Sequence, residues 1–179
     1  MDMIKVGPVG KCGRHIWDEK GSDQIAGIFI SYGEDIVFSL QFMFYDNGDL
    51  IISEKHGRRS YNQREDYCAV ILDYPSEFLT SISGSFEKMN KKRTALSSIK
   101  FGTNKGSYGP FGTPSTENMD KTDFFNFQIG NYRLFGGFYG SQNEDSIESI
   151  GFYVKAIPSS IINLKDSTVN VKKEKDEEE

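Results

Sequence analysis

The chain is short of the residues that most catalytic chemistry needs. It has 2 cysteines, 2 histidines and 1 tryptophan in 179 residues. Two cysteines cannot staple a disulfide scaffold. A Ser–His–Asp or Cys–His site needs a histidine beside its nucleophile, and only His15 and His56 exist. A zinc site built from Cys12, His15, His56 and Cys68 would consume every Cys and His, at a spacing that fits no compact four-ligand knuckle. Gly102-Thr-Asn-Lys-Gly-Ser lacks the residue order of a phosphate-binding loop. Carboxylates are plentiful, but none pairs by spacing as an acid and its nucleophile. The balance favours a binding module over an enzyme, with no metal and no cofactor. Long apolar runs are also missing. The longest, Ile36–Tyr45, is broken by Ser39 and Gln41 and falls far short of the roughly 20 residues of a membrane helix. The opening Met-Asp-Met-Ile-Lys-Val-Gly-Pro has no apolar signal core. With so few cysteines, the expected location is the cytoplasm, with the nucleus as an alternative. The net charge of -5 disfavours a broad nucleic-acid footprint.

What is abundant is aromatic surface. Fourteen Phe and 9 Tyr are too much to leave in water, so a packed core is required. The length suits one domain and is short for two. Apolar runs of strand length recur along the chain, separated by Gly, Pro, Asn or Ser. Asn47-Gly48 between Ile36–Tyr45 and Leu50-Ile51-Ile52 is a strong hairpin signal, because a primed turn needs positive φ at its centre. No helical stripe is sustained over three turns. The pattern is all-β: a sandwich, barrel or prism. A weak repeat aligns Ile25-x-x-Ile28-x-Ile30 with Leu79-x-x-Ile82-x-Gly84 and Ile147-x-x-Ile150-x-Phe152. It predicts three similar sheets around one axis, with Ile4–Val9 joining the last strand. Residues 158–179 read as a polar tail, with four Lys and six acidic residues after Ala156-Ile157.

Three stretches resemble the jacalin-related lectins of plants. These are Gly7-Pro8-Val9-Gly10 followed by Trp17-Asp18-Glu19, then Tyr108-Gly-Pro-Phe-Gly112, then Phe135-Gly-Gly-Phe-Tyr-Gly140 running into Ile147-x-x-Ile150-Gly151-Phe152-Tyr153. The resemblance covers residues 3–157. It implies a β-prism of three four-stranded antiparallel sheets with pseudo-threefold symmetry. Members of the family bind mannose, glucose or galactose without metal, often as homodimers. A subset of short members restricts virus movement in plants. The chain looks similar to those, which implies a protein-interaction scaffold as the alternative to a sugar binder.

The family's sugar site pairs an N-terminal glycine with a Gly-x-x-x-Asp loop before the last strand. A carboxylate accepts two sugar hydroxyls, backbone N–H groups donate back, and glycine lets the main chain approach the ring. Carried onto this chain, the N-terminal glycine is Gly13 and the acceptor is Glu148, one methylene longer than Asp. Ser146 and Ile147 supply backbone donors. Glu144 stands where the loop glycine belongs, and Asp145 is a substitute acceptor. The expected site is therefore a degraded or altered one, weak for neutral sugars. Trp17 reads as a core plug. Lys88, Lys91, Lys92 and Arg93 read as a solvated hairpin tip.

Overall fold

The computed structural model describes residues 3–21, 23–58, 64–117 and 119–156. The polar tail and the boundary at 157 lie outside the described residues. Among the described residues, thirteen strands make three antiparallel sheets, and one 3-10 turn spans Met119–Lys121. Sheet one runs β1 (Ile4–Gly10), β13 (Ile147–Ala156), β12 (Arg133–Gln142), β2 (His15–Lys20). Sheet two runs β10 (Ser107–Gly112), β9 (Thr94–Thr103), β8 (Leu79–Lys88), β11 (Thr122–Gln128). Sheet three runs β5 (Asp49–Ile52), β4 (Val37–Asp46), β3 (Ile25–Tyr32), β7 (Asp66–Ile71). A fifth strand, β6 (His56–Gly57), also pairs with β4, so this sheet has one more member than the four expected.

Alternation sets which face is buried. On β4, Leu40, Phe42 and Phe44 point into the core, while Gln41 stays half-buried on the outer side. The Asn47-Gly48 turn forms as expected, with φ of 51° and 90° and Asp46 opposite Asp49. The inner faces of all three sheets meet in one apolar cluster. Phe42 of sheet three stacks on Phe138 of sheet one, with ring centroids 4.2 Å apart. Ile82, Phe86, Ile99 and Phe101 of sheet two close the third side. Each such side chain contributes about 1.5–3 kcal/mol by leaving water. Trp17 is buried in the same cluster and stacks on His56, which pairs with Glu19 through Nε2 at 2.7 Å.

A polar signature marks the threefold relation. Ser31 and Ser39 face each other across β3 and β4 with Oγ atoms 2.6 Å apart. Ser85 and Ser98 do so across β8 and β9 at 2.7 Å, and Ser141 and Ser149 across β12 and β13 at 2.6 Å. The two Gly-Pro segments are likewise equivalent. Gly10 lies opposite Ser149 and Gly112 opposite Ser98, each on an edge strand with an irregular register.

These pairs correct the phase of the sequence repeat. Ile25 and Leu79 begin the first strands of their hairpins, but Ile147 begins the second strand of its own. The true counterparts of β13 are β9 and β4, and β12 is the counterpart of β8 and β3. Neighbouring antiparallel strands share the same alternation, so apolar spacing cannot tell them apart. The expected junction of chain ends holds: β1 pairs with β13, Ile4 opposite Val154.

Candidate functional site

The β12–β13 hairpin ends in a turn at 143–146. Asn143 builds it. Its Oδ1 accepts the backbone N–H of Asp145 at 2.8 Å and of Ser146 at 2.9 Å, while its own N–H donates to the Ser146 carbonyl at 3.1 Å. An amide side chain that folds onto its own turn in this way fixes the loop without burying apolar surface. Its Nδ2 is left to donate outward, to Glu148 Oε1 at 2.9 Å.

Two other segments converge on this turn. The chain leaving β1 passes it at residues 11–14, and the β8–β9 hairpin tip approaches from sheet two. Thr94 joins all three. Its Oγ1 accepts the Lys11 backbone N–H at 2.7 Å and donates to the Glu148 carbonyl at 2.7 Å. Lys11 Nζ also donates to the Lys91 carbonyl at the hairpin tip. Gly13 donates its N–H to Ser141 Oγ at 2.9 Å, the same hydroxyl that pairs with Ser149. The site is thus tied to the serine pair that fixes the register of its own hairpin.

A hollow of about 570 Å³ opens between these segments, lined by Cys12, Gly13, Arg14, His15, Lys92, Arg93, Gln142, Asn143 and Glu148. That volume suits a small ligand such as one or two sugar rings. Glu148 is only 4% exposed. Its Oε1 pairs with Arg93 Nε at 3.3 Å and with Asn143. Its Oε2 lies against the Cα of Gly13: a Cβ there would fall on Oε2 and stand 2.7 Å from Cδ. The extra methylene of Glu therefore carries the carboxylate into the notch that the glycine leaves open.

Of the six residues expected at the site, the structure brings Gly13 and Glu148 together in the hollow. Glu144 and Asp145 occupy the exposed crest of the turn, outside the lining. Ser146 is buried with its N–H already bonded to Asn143, and Ile147 is fully buried in the core. Sequence reasoning missed Asn143, Thr94 and Arg93. Asn143 had a legible signal, since Asn followed by two acidic residues and Ser is a turn former. Arg93 and Lys92 were read as a solvated tip. The approach of Arg93 to Glu148 spans 55 residues of sequence and rests on the packing of sheet two against sheet one.

A prism of three sheets with a ligand-sized hollow between the N-terminal loop and the last hairpin is the architecture of a jacalin-type lectin. The comparisons with known proteins agree. Residues 6–153 match the Jacalin-like lectin domain, and the chain belongs to that family. It is 37% identical over 170 residues to Protein RESTRICTED TEV MOVEMENT 1 of Arabidopsis thaliana, covering 92% of each chain. It is 33% identical over 180 residues to Jacalin-related lectin 2 of the same plant, covering 94% of this chain and 96% of that one. Among solved structures, a mannose-specific jacalin-related lectin from Morus nigra in complex with mannose superposes with a TM-score of 0.74 at 26% identity. That match covers 88% of this chain and 96% of the lectin.

Proposed function

We propose that this protein is a non-catalytic carbohydrate-binding module of altered specificity, and that the hollow at Gly13, Asn143 and Glu148 is its site. The observation that carries this reading is the convergence of a glycine notch, a carboxylate and a preformed turn on one ligand-sized cavity. Glu148 accepts hydroxyls only by sharing its carboxylate with Arg93 and Asn143. A neutral sugar must compete with that internal pairing, and losing one or two charge-assisted hydrogen bonds costs about 1.5–3 kcal/mol each. A monosaccharide held at millimolar affinity has only about 4 kcal/mol in total. Binding of mannose-, glucose- or galactose-type glycans is therefore weak. Calorimetric titration of the folded protein with these glycosides tests the reading. Heat of binding that Glu148→Ala abolishes supports it, and silence toward every saccharide at tens of millimolar removes it.

A second reading is favoured by the likeness to Protein RESTRICTED TEV MOVEMENT 1, which extends over nearly the whole of both chains. Here the prism is a cytoplasmic or nuclear scaffold in plant defence, with protein partners, self-association into a homodimer among them, and its glutamate-filled notch is a relic. Pull-downs comparing Glu148→Ala with removal of residues 158–179 separate the two. A partner lost only on removing the tail favours the scaffold.

A further inference from the structure

We infer that the hollow prefers a saccharide carrying an anionic group, a carboxylate or a sulfate, over a neutral one. This rests on the carbohydrate-binding reading above and names the ligand class for the same site. Among the described residues, three cations line the hollow, Arg14, Lys92 and Arg93, against a single carboxylate, Glu148. That carboxylate is already paired with one of the three. The Arg93 side chain is 53% exposed and engages Glu148 through Nε, so the outer part of its guanidinium faces solvent. Arg14 and Lys92 are exposed.

This is a local reversal, because the protein as a whole carries a net charge of -5. Among the described residues the lining has no Phe, Tyr or Trp, and so no flat apolar platform for the carbon face of a neutral ring. What it offers is donors: two guanidinium groups, an ammonium, the Asn143 and Gln142 amides and the His15 ring. A ligand that fits such a set supplies acceptors and negative charge. Arginine and lysine bind carboxylate and sulfate oxygens through charge-assisted hydrogen bonds roughly twice as strong as neutral ones. Thr94 and Lys11 hold the hairpin tip in place before a ligand arrives, which lowers the ordering cost of binding. Glu144 and Asp145 stand on the turn outside the lining and set a repulsive outer limit on how far an anionic chain extends beyond the hollow.

The test is calorimetric titration of the full chain at low salt with four probes. These are digalacturonic acid, a sulfated heparin disaccharide, neutral mannobiose and inorganic sulfate. At least one acidic disaccharide is expected to bind about tenfold or more tighter than mannobiose. The sulfated probe also carries a uronate carboxylate, so tighter binding of it than of digalacturonic acid assigns the gain to sulfate, and equal binding assigns the preference to carboxylate. Its affinity falls several-fold as salt rises from about 20 to about 200 mM. Replacing Arg14 and Lys92 together by Ala weakens it about tenfold; both are exposed, and circular dichroism confirms that the fold is kept. Glu148→Gln strengthens it by roughly threefold, because Arg93 is released and the opposing charge removed; a neutral-sugar site would instead lose affinity. Equal or tighter binding of mannobiose overturns the charge preference while leaving the carbohydrate-binding reading intact. Inorganic sulfate binding as tightly as the sulfated disaccharide also overturns it, since the hollow is then a bare anion hole. No binding of any saccharide removes both readings together.

Discussion

The rim of the prism repeats its corner in each sheet, and the first two corners differ in chemistry more than in backbone. In sheet one, the position before the paired Ser149 is Glu148, whose carboxylate lies in the glycine notch beside Arg93. In sheet two, the position before the paired Ser98 is Ser97. Its hydroxyl donates to the Ser85 carbonyl at 3.0 Å and pairs with Ser85 Oγ at 2.7 Å, so it is consumed inside the sheet. In sheet three the same position is Phe38, with the Arg58 guanidinium 5.0 Å above its ring. The apolar repeat would align Ala26 and Thr80 with Glu148, but the serine pairs align Phe38 and Ser97 with it, and none of these four residues carries a carboxylate. The fold provides the corner; a few side chains decide whether it can bind anything.

The largest effect expected from this comparison is on stability at the second corner. A Cβ at Gly112, where φ is +71°, would run into the Ser97 carbonyl, which is backbone and cannot move aside. Gly112→Ala should cost about 2–4 kcal/mol, read as a lowered midpoint in urea denaturation. A smaller loss is expected at the first corner from Thr94→Val, which keeps the shape but deletes both ties, to Lys11 N and to the Glu148 carbonyl. The cost is about 1–3 kcal/mol, and amide exchange should rise at residues 11–14 and 91–93. An unchanged exchange pattern there would mean that Thr94 is not what holds the corner together.

The faces of the sheets extend the comparison. Tyr139 and Tyr153 are buried on the outer side of sheet one, where Tyr153 donates to Asp18 Oδ2 at 2.6 Å and Tyr139 to the Val6 carbonyl at 2.9 Å. Burial raises both phenols above their ordinary value of 10.0, and the Asp18 carboxylate raises Tyr153 further. The folded state therefore holds these protons more tightly than the unfolded state does. Their stabilisation is complete below about pH 10 and is lost as pH rises beyond it toward the folded values. Urea midpoints should hold level from about pH 8 to about pH 9 and fall as pH rises past about 10. Tyr153→Phe should flatten that fall while lowering stability at pH 8, because Asp18 loses its donor. The smallest stability change is expected from Gly13→Ala, under about 1 kcal/mol, since the group it displaces is the movable end of Glu148. Its effect should appear in ligand titrations instead, as a changed affinity. A destabilisation as large as that of Gly112→Ala would make the notch a packing feature and not a binding one.

Much of this was legible in the sequence because it depends on local chemistry. Strand periodicity, the Asn47-Gly48 turn and the Gly-Pro segments each reflect one residue's conformational limits, and they survive without knowledge of partners. The phase of the repeat was not legible. It is carried by Ser31, Ser85 and Ser141, whose partners lie 8 to 13 residues away across a hairpin and leave no mark in hydrophobic spacing. At the site, Gly13 and Glu148 were found through family resemblance, while Arg93 escaped because a charged hairpin tip reads as solvated until another sheet is packed against it.

By itself the sequence determined that the chain must form strands with one apolar face each, and that its aromatics must share a core. Alternation and turn residues act over a few residues and need nothing else. Only the tertiary structure decided that a glutamate from sheet one, an arginine from sheet two and a glycine from the first loop would meet. Their mutual charge and volume exist only once three sheets have closed around a common interior. That closure turned an acidic protein's rim into a small cationic hollow.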